Sequence, residues 1–166
     1  MSQYVMRKRI ISVGGDYNVE DLDGQLVYDV DRKVRFGTTF AIKDRDGRVL
    51  VSAKETLLAL DGTIVIKREK ETLATLRTVG GSRNPKKFHV ELTDGSAIEA
   101  HGRFDQDDRY TLSRGGQQLV TVAQDEGTIR EIYRIDIAAN QDEPLLLAIV
   151  ASITLMVPEN GDVQAP

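Results

Sequence analysis

Asp142-Glu143-Pro144-Leu145-Leu146-Leu147-Ala148-Ile149-Val150-Ala151-Ser152-Ile153-Thr154-Leu155-Met156 is the stretch on which the reading of the whole chain turns. From Leu145 to Val157 only Ser152 and Thr154 are polar. Asp142 suits a helix N-cap, Pro144 a first turn, and Pro158 ends the run. A helix here is apolar on every face, so it must be surrounded. Its apolar run is too short for a bilayer, which takes ~20 residues. A buried core helix is expected, with no transmembrane span.

The remaining sequence must then supply the housing. At 166 residues the chain fits one domain with a real core. Apolar residues make up 40% and charged residues 29%, the balance of a soluble globular protein. The absence of cysteine excludes a disulfide scaffold, a thiolate zinc site and a cysteine nucleophile. Arg7, Lys8 and Arg9 are followed by no apolar signal segment. The expected location is cytoplasmic, with peripheral attachment to a membrane as its variant.

A repeat of about 23 residues runs through the chain. Tyr17 and Val19 alternate into Asp23-Gly24, and Leu26, Tyr28 and Val30 alternate out of it, a β-hairpin pattern. Phe40 and Ile42 lead through Asp46-Gly47 to Val49, Val51 and Ala53. Ile64 and Ile66 lead through a degenerate turn, Arg68-Glu69-Lys70-Glu71, to Leu73, Thr75 and Arg77. Phe88, Val90 and Leu92 lead through Asp94-Gly95 to Ala97, Glu99 and His101. Tyr110 and Leu112 lead through Gly115-Gly116 to Leu119, Thr121 and Ala123. Tyr133, Ile135 and Ile137 then run into the apolar helix. The lead residues Tyr17, Phe40, Ile64, Phe88, Tyr110 and Tyr133 are spaced 23, 24, 24, 22 and 23 apart.

Five hairpins give ten strands; Tyr4–Ser12 and Ile132–Ile137 bring the expected number to twelve. An open meander of that length would leave two edges unpaired, and closure removes them. A barrel this wide cannot fill itself, since about eight strands is the size that just manages it. The helix is the filling: ~22 Å long at 1.5 Å per residue, against ~20 Å for a six-residue strand. The expected fold is mainly β, a closed twelve-stranded antiparallel barrel around a central C-terminal hydrophobic helix. It forms one domain over 1–166, with strands over about 4–137, helix over about 142–156 and a short tail at 158–166.

The Asp-Leu-Asp-Gly hairpin Tyr17–Val30, its Asp-Arg-Asp-Gly copy Phe40–Ala53, and the ending Tyr133–Ile137 with Asp142–Met156 resemble the LURP-one-related proteins. These group with the tubby C-terminal-like barrels and are similar in fold to the phospholipid scramblases. The resemblance spans about residues 4–157. It implies the same barrel around a helix, and its motifs are structural, not catalytic. Tubby-like relatives recognise phosphoinositide headgroups, so the resemblance implies an anionic phospholipid as a candidate ligand.

Chemistry-bearing constellations are sparse. Asp21-Leu22-Asp23-Gly24 and Asp44-Arg45-Asp46-Gly47 look like the middle of a calcium loop, but with Gly at position 6 the outer ligand positions fall on Val19 and Val30, and on Ile42 and Ala53. These are turns, not cation sites. Asp105-Gln106-Asp107-Asp108 is a looser acidic run. His89 and His101 are the only histidines, short of the three or four ligands a metal needs. No nucleophile elbow or P-loop is present; Gly80-Gly81-Ser82 reads as a loop. No metal, cofactor or catalytic residue is therefore expected.

Charge is divided along the chain. Residues 1–90 hold 17 Lys/Arg and 12 Asp/Glu, net +5, while 91–166 carry −9. Lys67, Arg68, Lys70, Arg83, Lys86 and Lys87 are the candidate anion-binding residues, with Arg77 among them in sequence. The first three flank a hairpin tip, and the others follow at its opposite end. Nucleic acid is not an expected partner, because the pI is 5.3 and aromatics are only 5%. The sequence thus points to a non-enzymatic binding or scaffold barrel, its partner an anionic membrane surface or a protein. A calcium-dependent scramblase-like role is the alternative. If the helix fills the lumen, any site lies on the rims or the outer wall.

Overall fold

The computed structural model describes residues 1–9, 16–34, 38–56, 63–79, 87–103, 109–125 and 132–156. Twelve strands precede one helix: β1 (Ser2–Lys8), β2 (Tyr17–Glu20), β3 (Leu26–Val34), β4 (Thr38–Asp44), β5 (Val49–Thr56) and β6 (Thr63–Arg68), then β7 (Glu71–Val79), β8 (Lys87–Leu92), β9 (Ala97–Arg103), β10 (Arg109–Arg114), β11 (Gln117–Gln124), β12 (Ile132–Ile137) and α1 (Glu143–Met156). Every neighbouring pair is antiparallel, and β1 closes the barrel by pairing β12 on one side and β2 on the other. The first strand starts two residues before the expected Tyr4, because closure pairs Ser2 with Ile137. The expected tail at 158–166 lies outside the described residues.

The helix fills the lumen. Leu146 through Ile153 are eight consecutive buried residues, covering all faces of two turns. Its polar side chains turn back on the helix itself: Ser152 donates to the Ala148 carbonyl at 2.7 Å and Thr154 to the Val150 carbonyl at 2.9 Å. The helix runs closest to β4–β7. There it packs against an inner face that carries Phe40, Ile42, Val51, Ala53, Ile64, Ile66, Ala74 and Leu76. Tyr4, Tyr17, Tyr28, Tyr110 and Tyr133 on the other strands complete the packing around it.

The repeat is visible in the turns. In the first two hairpins Gly24 and Gly47 donate to the carbonyls of Asp21 and Asp44, and sit at φ 80 and 84. Asp21 and Asp44 then donate to the carbonyls of Gln25 and Arg48. These are three-residue loops ending in a bulge, and glycine supplies the positive φ. The carboxylates of Asp21 and Asp44 each accept two backbone N–H bonds within their own turn. The β6–β7 turn has no glycine, and Glu69 takes φ 55 instead.

These bulges overturn part of the expected facing. The register shifts beside the turn in four hairpins. A one-residue shift moves side chains to the opposite face. Leu26 and Val49, expected inside, are 37% and 53% exposed. In β7 the inner residues are Ala74 and Leu76, not Leu73, Thr75 and Arg77. In β11 Leu119 is buried as expected, and beyond it the inner residues are Val120 and Val122, not Thr121 and Ala123. In β9, whose register with β8 has no shift, pairing of Val90 with Ile98 and Phe88 with Ala100 makes Ile98 and Ala100 the inner pair, so Glu99 and His101 face out. The leading arm of each hairpin faces as expected.

Candidate functional site

The five hairpin turns and the link from β12 to α1 share one end of the barrel, and strand direction puts the other connections at the far end. At the turn end the helix N-terminus is tied to three walls. Asp142 caps it, accepting from the Leu145 N–H at 3.3 Å. Arg68, at the end of β6, donates to both oxygens of Asp142 at 2.8 Å. Next to it the Glu143 carboxylate accepts from Ser2 at 2.5 Å, Tyr4 at 2.5 Å and Tyr28 at 3.1 Å. The rings of Tyr4 and Tyr28 meet edge to face at 5.7 Å.

This cluster has a defined electrostatic state. Burial pushes Glu143 up, but hydrogen bonds from Ser2, Tyr4 and Tyr28 outweigh it and hold the carboxyl below its usual range. Burial, and then the neighbouring carboxylate, push both phenols up. At neutral pH the cluster is an ionised carboxylate held by three neutral hydroxyls. It fixes β1, β3 and α1 to one another.

Of the six sequence-predicted cations, Lys67 and Lys70 stand apart from that cluster. Lys67 is exposed on the outside of β6, and Lys70 sits in the turn beyond it. Arg68 is drawn over the mouth by Asp142. Lys87 is the first residue of β8, at the far end of the wall from Lys70. Arg83 and Lys86, like Gly80-Gly81-Ser82 and Asp105–Asp108, lie outside the described residues. Lys70 and Lys87 thus mark the two ends of the β6–β8 wall.

Lys54 and Arg77 bridge that interval. Lys54 pairs across from Val65, two residues along from Lys67, and Arg77 pairs across from His89. All three cations are exposed and make no ion pair among the described residues. The adjoining β1–β4 wall differs: Arg7 is bonded to Glu20 at 3.2 Å, Arg9 to Asp29 at 2.5 Å and Lys43 to Asp31 at 2.6 Å. His101 contacts Glu99 at 3.2 Å. Lys54 was missed because it lies on another hairpin; only strand pairing puts it beside Lys67. The Glu143 cluster left a readable trace, since Tyr4 and Tyr28 at inward positions of a plugged barrel require hydroxyl partners. Among the described residues no three His, Asp or Glu side chains are placed to hold a metal ion, and no helix is long and apolar enough to cross a membrane.

The description of a family model, LURP-one-related, matches residues 2–154. The chain belongs to the LURP-one-related family. Among solved structures, the LURP-one-related chain is similar to an Arabidopsis thaliana protein determined by X-ray diffraction. The likeness has a TM-score of 0.64 at 13% identity, over 92% of this chain and 89% of that one. At that identity it speaks for the barrel fold alone. No curated protein sequence matches the chain.

Proposed function

We propose that this LURP-one-related barrel is a non-catalytic binding module that attaches to anionic phospholipid through the outer wall of β5–β8. The observation that carries the reading is the contrast between walls. Lys54, Lys67 and Arg77 stand exposed without carboxylate partners, while Arg7, Arg9 and Lys43 are each matched by an acid. The filled lumen supports it too, since it directs binding to the exterior. Lys70 extends the stripe at the turn end, and Glu69, Glu71 and Glu91 moderate it. Near an anionic surface each cation contributes ~1 kcal/mol. Cytoplasmic residence with peripheral attachment accords with this.

Co-sedimentation with vesicles tests the proposal. Protein should pellet with phosphatidylcholine vesicles containing phosphatidylserine or a phosphoinositide, and stay in solution with phosphatidylcholine alone. Lys67→Glu with Arg77→Glu removes two attractions and adds two repulsions, so binding should fall by at least about 30-fold. Equal recovery on anionic and neutral vesicles at low salt would refute the lipid reading.

A further inference from the structure

The far mouth of the barrel holds an arginine that the outer-wall reading does not use. Tyr28, Val30 and Arg32 follow one another on the inner face of β3, and Arg32 pairs across from the buried Phe40. Its Nε is fully buried and has no hydrogen-bond partner. It is the one such side-chain atom among the described residues. The local acids are otherwise engaged or turned away. Asp16 accepts from the Arg32 backbone N–H at 2.8 Å, not from its guanidinium. Asp29 and Asp31 point outward to Arg9 and Lys43. Glu55, at an inner position of β5, is not paired with Arg32. Lys8, at an inner position of β1 and with partners of its own, adds a second cation to this mouth.

A buried donor on a charged group is costly to leave unmade. Lysine can escape that cost by losing its proton; arginine cannot. Its flat fork matches the oxygens of phosphate and carboxylate. The geometry points to Arg32 as the centre of an oxyanion site in the barrel mouth, of the phosphate class, with inorganic phosphate and a lipid phosphate as its two sources. The site is separate from the β5–β8 wall, and each can fail without the other.

Thermal unfolding of the intact chain, in phosphate against chloride at matched ionic strength, tests it. Wild type should gain about 5–10 °C at a hundredfold excess over Kd. Arg32→Met should be as stable as wild type, or more so, in chloride, and should not respond to phosphate. Arg32→Lys, which keeps the charge without the fork, should respond weakly. A gain with inorganic phosphate identifies a free oxyanion. A gain only with phosphatidic acid vesicles, kept in the Lys67→Glu/Arg77→Glu variant, identifies a lipid headgroup at this mouth. Loss of several degrees in Arg32→Met in chloride would overturn the site: Arg32 would then be the counter-charge for the carbonyl end of α1, whose last turn has no basic residue. No response to either phosphate source would also overturn it, and water would be the missing partner.

Discussion

Replacing Glu143 by glutamine should cost stability and flatten its dependence on pH. The carboxylate accepts three hydroxyl bonds that join β1, β3 and α1. A hydrogen bond to a charged group contributes about 1.5–3 kcal/mol when well buried. This cluster is only partly buried, so water replaces much of what is lost, and about 2 kcal/mol in all is the expected deficit at pH 7. For a chain of this size that lowers Tm by about 4–8 °C. The pH dependence follows from the direction of each shift. Glu143 is depressed below its ordinary 4.5, so its contribution is full above that value and is lost as pH falls through the folded pKa. Tyr4 and Tyr28 are raised above 10.0, so their contribution is full below that value and is lost as pH rises through the folded pKa values. The cluster thus supports the fold between acid and strong alkali. Hydrogen bonds from Ser96 hold Asp94 below its usual range as well, so the informative quantity is wild type minus Glu143→Gln. With no tryptophan and five tyrosines, far-ultraviolet circular dichroism or tyrosine emission follows unfolding from pH 3 to 8. Superimposable Tm profiles for the two proteins would refute the assigned role.

Three further outcomes are expected. Gly102→Ala should destabilise by at least about 2 kcal/mol in urea titration, because a Cβ there would lie 2.5 Å from both the Arg109 carbonyl and the Tyr110 Cβ. Glu69→Gly should stabilise by about 1 kcal/mol by relieving a non-glycine residue at φ 55, measurable as a Tm gain of about 2–4 °C. Leu147→Asp or Ile149→Asp should abolish the cooperative transition, since both side chains are buried in the lumen and a charge there has no partner; Ile149→Ala should cost about 2–5 kcal/mol and still fold. Soluble Asp variants with a cooperative transition would show that the helix does not plug the barrel.

What could be read from the chain was what depends on period and polarity. The 23-residue spacing of Tyr17, Phe40, Ile64, Phe88, Tyr110 and Tyr133 marked the hairpins, because turn chemistry and alternation are local. The apolar run Leu145–Val157 required a housing, and its capping residues Asp142 and Pro144 set where it begins. Together they determined a closed barrel around a helix. The facing of the return strands was legible only in part: Tyr28, Val30, Val51 and Ala53 face in as read, while other positions do not. Leu26, Val49 and Leu73 follow bulges, and a single inserted residue exchanges inside for outside without altering composition or spacing.

The surroundings of the candidate residues came from tertiary structure. Arg68 looked like part of a basic tip, yet Asp142, 74 residues away, holds it over the helix N-terminus. Lys54 and Lys67 are 13 positions apart on different strands and become neighbours only through the β5–β6 register. Glu143 gathers hydroxyls from Ser2, Tyr4 and Tyr28, more than a hundred residues before it. Short-range rules of turn, alternation and apolar length act within a hairpin, so sequence alone determined the barrel and its plug. Which charges are matched and which stand free depends on residues that only barrel closure brings together, and that the tertiary structure alone decided.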